Sequence, residues 1–366
     1  MSPGVSDAIG RRRSQIALAA GVFGAVVLFL FAVQLLGTAT EAAAPLLARV
    51  FRRVVRDDVS ALGLSWLGAY VLANGSVVAA LALSLFTADI ITAPQLFMMI
   101  AGSRLGAAAV VVLIGALDYA QKRTYSLRKA VSLGVLTFLL THSIYVPVTV
   151  VGSVGGPALR GSTRGVTSGW SLGVPTPEFF GPLTVAITTR IGPTASFLLA
   201  LVVLFGSLKL FDRLLAKADT ATLRRRFFGH LERTWLSFLI GLLVTGVTTS
   251  VAFSLGVIVP LYNRGYVERD ELIPYVLGAN LGTLFDTLIV AVVFESAVGT
   301  AVVLELIAIA TVITLAVLLV HDRYSRLIAA VDDRLLEDRL VFVAFVVSLL
   351  AAPLALLLVP VLLGGG

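Results

Sequence analysis

The chain has no cysteine and only three histidines, and charged residues fill just 13% of its 366 positions. The missing cysteine excludes disulfide-stapled secreted domains and thiol catalysis. The scarcity of charge excludes more. Soluble domains carry roughly a quarter charged residues, because a folded surface must hold water. A chain with 58% hydrophobic residues and a mean hydropathy of +0.99 cannot cover itself that way, and reads as a multi-pass membrane protein. There is no His-Glu-x-x-His pair and no Walker-type phosphate loop, so neither zinc hydrolysis nor ATP-driven pumping has its usual residues, and a non-enzyme is expected, with no metal or cofactor. The net charge of +7 does not call for nucleic acid, since basic residues of membrane proteins gather in cytoplasmic loops and meet anionic lipid.

A hydrocarbon core of ~30 Å needs about 20 apolar residues in helix. Ser14–Thr40, Val59–Ala88, Ala130–Leu159, Ile191–Leu208, Thr234–Asn263 and Leu340–Gly366 contain no Asp, Glu, Lys or Arg. Two further apolar stretches, Ile90–Leu117 and Leu272–Phe294, are each interrupted by one charge, Arg104 and Asp286, and Ser296–Val320 holds only Glu305. Thr38–Asp58 and Phe211–Arg233 place arginines at helical spacing among Leu, Phe and Ala, the pattern of basic helices at a lipid interface. Residues 152–189 are rich in Gly, Ser, Thr and Pro and read as an external linker.

Two of the uncharged 30-residue runs begin at Val59 and Thr234, and each of these is followed by a 14-residue apolar run that ends in a charge. Gly102-Ser-Arg-Leu-Gly106 is matched by Gly278-Ala-Asn-Leu-Gly282, 176 positions later. The chain therefore divides into a cytoplasmic N-terminus (1–13), a first membrane repeat (14–151), the linker (152–189), and a second repeat with a C-terminal helix (190–363). With the first run crossing outward and each 30-residue run taken as a re-entrant hairpin, the second half is inverted relative to the first. Of the 28 Lys and Arg, 20 then fall inside and 7 outside, as the positive-inside rule requires. The expected fold class is all-α and polytopic, with two inverted-topology repeats, each holding a re-entrant helical hairpin and a broken helix that meet at the midplane. Inverted halves with interrupted helices point to secondary transport around a central site.

The hairpin runs break at Asn74-Gly75-Ser76 and Thr248-Thr249-Ser250. These residues weaken a helix and present hard oxygen ligands for alkali cations, while N–H groups at half-helix starts favour anions. Ser and Thr in membrane helices also bond simply to their own backbone or to neighbours. The candidate site comprises Asn74, Ser76, Ser103, Arg104, Thr248, Thr249, Ser250, Asn280, Thr283, Asp286 and Thr287.

Gly278-Ala-Asn-Leu-Gly-Thr283, with Gly241-Leu-Leu-Val-Thr245 before it and Val259-Pro-Leu261 around the second hairpin, resembles the type II sodium/phosphate cotransporters and their bacterial relatives. Ser14–Asp58, with Leu28-Phe-Leu-Phe31, is similar to that family's opening helix. The resemblance implies symport of phosphate or a similar anion with Na+ or H+ across the cell membrane, in contact with lipid and without nucleic acid, a homodimer being left open. A non-transporting scaffold of the same fold, or proton-coupled transport of another anion, is the alternative. The hairpins depart from the family's Gln-Ser-Ser-Ser motif, reading Asn74-Gly75-Ser76-Val77 and Thr249-Ser250-Val251-Ala252. Arg104 replaces an Asn of the family, and Leu284-Phe285-Asp286-Thr287 replaces a threonine run.

A lone ionised residue at the bilayer centre costs about 2.5–3.5 kcal/mol on insertion scales. Arg104 and Asp286 are therefore expected to pair across the repeat interface, to serve the substrate and its coupling ion, or both. Arg104 offers a planar fork to an anion, or a tethered cation in place of sodium. His142 and Glu305 are secondary candidates for a polar network or proton path.

Overall fold

The computed structural model describes residues 3–122, 127–167, 179–217, 231, 233–263 and 267–363, and every regular element among them is a helix. In chain order these are α1 (Pro3–Val54), α2 (Asp58–Leu72), α3 (Gly75–Thr87), α4 (Ala93–Lys122), α5 (Leu127–Thr167), α6 (Gly181–Ile191), α7 (Pro193–Leu215), α8 (Thr234–Thr248), α9 (Val251–Asn263), α10 (Arg269–Gly282), α11 (Leu284–Val293), α12 (Ala297–Leu319), α13 (His321–Glu337) and α14 (Arg339–Leu363). Seven stretches are long and apolar enough to cross a membrane: Ile16–Val54, Ala93–Leu117, Val131–Gly156, Pro193–Leu215, Arg269–Val293, Ala297–Leu319 and Arg339–Pro360. At 1.5 Å per residue, α2, α3, α8 and α9 reach only ~20 Å and do not span a bilayer individually.

The two 30-residue runs fold into α2–α3 and α8–α9, and each breaks where polar residues interrupt the apolar pattern. Ala73 (φ 47°) and Thr249 (φ 48°) adopt the left-handed conformation that ends one helix, and the next residue caps the following one. Asn74 Oδ1 accepts from the N–H groups of Ser76 and Val77 at 2.9 and 3.2 Å; Ser250 Oγ accepts from Phe253 N–H at 3.0 Å. Such caps satisfy donors that the first helical turn leaves open.

Behind each hairpin lies a Gly-x-x-x-Gly helix with no room for a side chain at its glycines. A Cβ at Gly102 would stand 2.5 Å from the Leu62 carbonyl oxygen, and one at Gly282 2.7 Å from that of Leu242. Gly106 and Gly278 abut the Trp66 and Phe238 carbonyls in the same way. The α2–α4 contacts thus recur between α8 and α10 with both partners displaced by 176 positions. Close backbone approach of this kind is what small residues allow between apolar helices.

Several features differ from expectation. Helix α4 runs unbroken through Arg104, because nothing in Ser103-Arg104-Leu105 interrupts its ladder; only the second half shows a discontinuity, at Thr283 between α10 and α11, and Thr283 keeps near-helical angles (φ −65°, ψ −19°). The 152–189 stretch is not all linker. Helix α5 continues to Thr167, and α6 packs on α1 through Thr38–Thr184 hydroxyls at 3.0 Å, a Phe180 N–H bond to Gln34 Oε1 at 3.2 Å, and an edge-to-face Phe31–Phe180 pair. Helix α1 absorbs the basic stretch from Thr40 to Val54 without a break, burying Phe51 and exposing Arg49, Arg52 and Arg53, and Val55 just past its end is buried too. Arg224–Arg226 and His230 lie outside the described residues.

Two C-terminal elements complete the body. The amphipathic α13 is held by Arg269 at the start of α10, which forms an ion pair with the buried Asp332. The last helix, α14, lies along α2, where Gly63 meets the Pro353 and Leu357 backbone and the Tyr70 hydroxyl donates to the Leu349 carbonyl at 2.7 Å.

Candidate substrate and ion site

The hairpin tips, α4, α5, α7, α10 and the Thr283 link enclose one cavity of about 300 Å³. Asn74, Ser76, Arg104, Thr249, Ser250, Asn280 and Thr283 all line it. Gly75, Ser76 and Val251, at the start of α3 and α9, also face it, so two helix N-termini bring their positive ends to the same space.

Arg104 and Asp286 pair. Arg104 Nη2 donates to Asp286 Oδ1 at 3.0 Å and also to the Thr287 hydroxyl. Asp286 Oδ1 accepts from Thr287 Oγ1 at 2.9 Å, and Oδ2 accepts from the Ser76 hydroxyl. A charge from α4, a charge from α11 and the tip of the first hairpin therefore form one network, with both ionised side chains less than a tenth exposed. Arg104 Nε is buried and has no hydrogen-bond partner. At the position equivalent to Arg104, Asn280 also reaches into the other half: its Nδ2 donates to Thr141 Oγ1 on α5 at 3.0 Å, and its carbonyl accepts from Tyr145 and Thr283 hydroxyls at 3.2 and 2.6 Å. Asp286 additionally borders a smaller space of about 190 Å³ beside α1 and α7, which shares Thr249 with the central cavity.

Two of the candidates face elsewhere. The Ser103 hydroxyl bonds to the Ile100 carbonyl at 2.7 Å and that of Thr248 to the Val244 carbonyl at 2.5 Å, so each satisfies its own helix, and neither lines the cavity. Equivalence between the halves drew them in, but a helical register turns adjacent residues by 100° and sends neighbours of a site residue away from it.

Sequence reasoning missed Asp212. It lies on α7, lines the central cavity, and its Oδ1 accepts from Ser250 Oγ at 2.5 Å. Flanked by Lys209 and Arg213, it reads in sequence as part of a basic interfacial stretch. The available signal was its place on a helix with an 18-residue uncharged lead, Ile191–Leu208. Thr137, Thr141 and Tyr145 of α5 are further lining residues without a sequence motif. His142 faces away, its Nδ1 against the Phe138 carbonyl at 3.0 Å and its ring stacked on Phe138, and Glu305 is buried on α12. Gly169-Trp-Ser-Leu-Gly173 has the spacing of a serine-hydrolase nucleophile turn and lies outside the described residues. That turn requires a strand leading into it, and the described elements are helices.

Residues 202–332 match the family model described as Na+/Pi-cotransporter. The match covers about a third of the chain, and over that part the chain is similar to the Na+/Pi-cotransporter family. The matched region runs from the middle of α7 into α13 and contains the second hairpin, Asn280, Asp286 and Asp212, so the cavity's second-half wall falls within it. No curated protein and no solved structure matches the chain. This similarity and the seven apolar spans among the described residues support a multi-pass membrane protein of transporter type.

Proposed function

We propose that the chain is a secondary active transporter that carries phosphate, or a closely similar inorganic anion, in symport with a monovalent cation, Na+ or H+, by alternating access. On this reading α2–α3 and α8–α9 are re-entrant hairpins of two inverted repeats. The observation that carries it is the convergence of both hairpin tips on one cavity with Arg104 in its wall. An anion there meets the N-terminal ends of α3 and α9, where N–H groups and the helix dipoles favour negative charge, and a guanidinium whose Nε is still unbonded. Asn74, Ser76, Thr249, Ser250, Asn280 and Thr283 supply hydroxyl and amide groups to phosphate oxygens and to the cation. Broken backbone is tolerable at such depth only where it lines a cavity or other protein, which is where Ala73–Asn74 and Thr249–Ser250 sit.

Counterflow of radiolabelled phosphate in proteoliposomes tests this directly. Accumulation against unlabelled internal phosphate is expected, stimulated by an inward sodium or proton gradient; absence of counterflow in well-folded protein overturns it. One feature favours the alternative of a non-transporting scaffold: the Arg104–Asp286–Ser76 network joins the first hairpin to the second half, as a permanently closed body requires. The same null result supports that alternative.

A further inference from the structure

Each hairpin tip gives a serine hydroxyl to an aspartate of the second half, Ser76 to Asp286 and Ser250 to Asp212. The two aspartates differ in their counter-charge. Asp286 holds the Arg104 guanidinium, whereas Asp212 has no ion pair with a described residue. Lys209, one turn earlier on α7, acts on the Asp212 carboxylate only through space, with its ammonium 5.1 Å from the centre of the Phe205 ring. Helices α3, α8 and α9 contain no Asp, Glu, Lys, Arg or His, and α1 has none between Ser14 and Thr40. Its nearest basic residues, Arg11–Arg13, lie two turns before Gly21, which packs on Leu214 of α7. Arg190 at the end of α6 is some five turns away along the chain, Arg213 is exposed, and Arg104 across the cavity is bound to Asp286.

We propose that Asp212 is the site of the coupling cation: one monovalent cation neutralises its carboxylate in each cycle, while Arg104 acts as a built-in cation on Asp286. The inference deepens the transport reading and rests on it for the word coupling. One carboxylate among neutral oxygens suits a singly charged ion, sodium or a proton. The Thr249 hydroxyl stands beside it on the same cavity wall. Without a cation the cavity holds the neutral Arg104–Asp286 pair and the Asp212 carboxylate, which has no direct ion pair with a described residue and repels an entering phosphate. With Asp212 neutralised that repulsion disappears, so cation and anion load together. Ser250 is a positioning residue: it holds Asp212 while capping α9, so occupancy of the carboxylate is felt at the start of the second hairpin.

The test is thermal unfolding of purified full-length protein in nanodiscs without phosphate. One arm titrates NaCl against choline chloride at constant ionic strength, and the other titrates pH in choline. Wild type is expected to show a saturable shift of its midpoint in one arm, which identifies the ion. Asp212→Asn is expected to abolish that shift. Asp212→Glu retains the carboxylate and the shift, and guards against a folding defect in the amide variant. Ser250→Ala is expected to retain the response with cation affinity weakened by about tenfold, the equivalent of about 1.4 kcal/mol. No response of wild type in either arm overturns the proposal, as does an unchanged response in Asp212→Asn or its equal loss in Ser250→Ala. Because phosphate is absent, failed counterflow with an intact Asp212-dependent shift would reject transport while leaving the cation site standing.

Discussion

The Arg104–Asp286 pair sets up a prediction in which the order of the variants matters as much as their size. Both side chains are buried, and Asp286 serves Arg104, Ser76 and Thr287 together. Asp286→Leu leaves the guanidinium without its counter-charge and with Nε already unpartnered. Removing one member of a buried pair costs about 3–5 kcal/mol. Arg104→Met leaves a carboxylate that keeps two hydroxyl donors, so its cost is lower, about 1–3 kcal/mol. The double variant removes both charges and replaces them with apolar volume, so it is expected to be no less stable than Asp286→Leu alone, with a coupling energy of about 2 kcal/mol. Unfolding in mixed micelles with increasing denaturing detergent, followed by tryptophan fluorescence, gives all four corners of the cycle. Single costs that sum to that of the double variant within about 0.5 kcal/mol would show that the two residues do not act as a pair.

Other outcomes follow from particular contacts. Gly102→Ala and Gly282→Ala place a methyl against the Leu62 and Leu242 carbonyls and are each expected to lower stability by about 1–3 kcal/mol; Gly24→Ala, with nothing within 4 Å, is the control and should leave the melting temperature unchanged or higher. Asn74→Ala removes the cap of α3 and is expected to cost about 1 kcal/mol, with Asn74→Asp restoring most of it, measured by the same unfolding assay. Arg269→Ala leaves Asp332 buried without its partner, and hydrogen exchange should rise across α13 before it rises in α10.

The sequence carried the parts of this architecture that depend on pattern. Two equal apolar runs foretold two pairs of short helices, each broken at its polar residues, and the Gly-x-x-x-Gly pair foretold where backbones touch, because a missing side chain constrains packing wherever it occurs. The Arg104–Asp286 contact was legible from the expense of lone charges in an apolar setting. What escaped depends on three-dimensional direction. Asp212 looked interfacial because its neighbours Lys209 and Arg213 are basic, yet it is the face of α7 turned to the cavity that matters. Ser103 and Thr248 looked equivalent to site residues and are not, since a helical hydroxyl can always bond to the preceding turn. The end of the 152–189 stretch looked like linker because Gly and Pro dominate it, but Pro182 and Pro193 stand near helix starts, where proline is tolerated.

The seat of α14 has a mechanical consequence. It covers α2 at Gly63, and the corresponding position of α8 is Leu239, which lies exposed in a row with Trp235, Leu243 and Val247. Among the described residues one helix pair is braced by α14 and the other is bare along that row. Displacing α2–α3 means stripping it from a whole helix and from the Tyr70 bond, whereas α8–α9 meets no such strut along that row. The two helix pairs share a plan but not a stiffness, and the second is the one with less to break before it shifts.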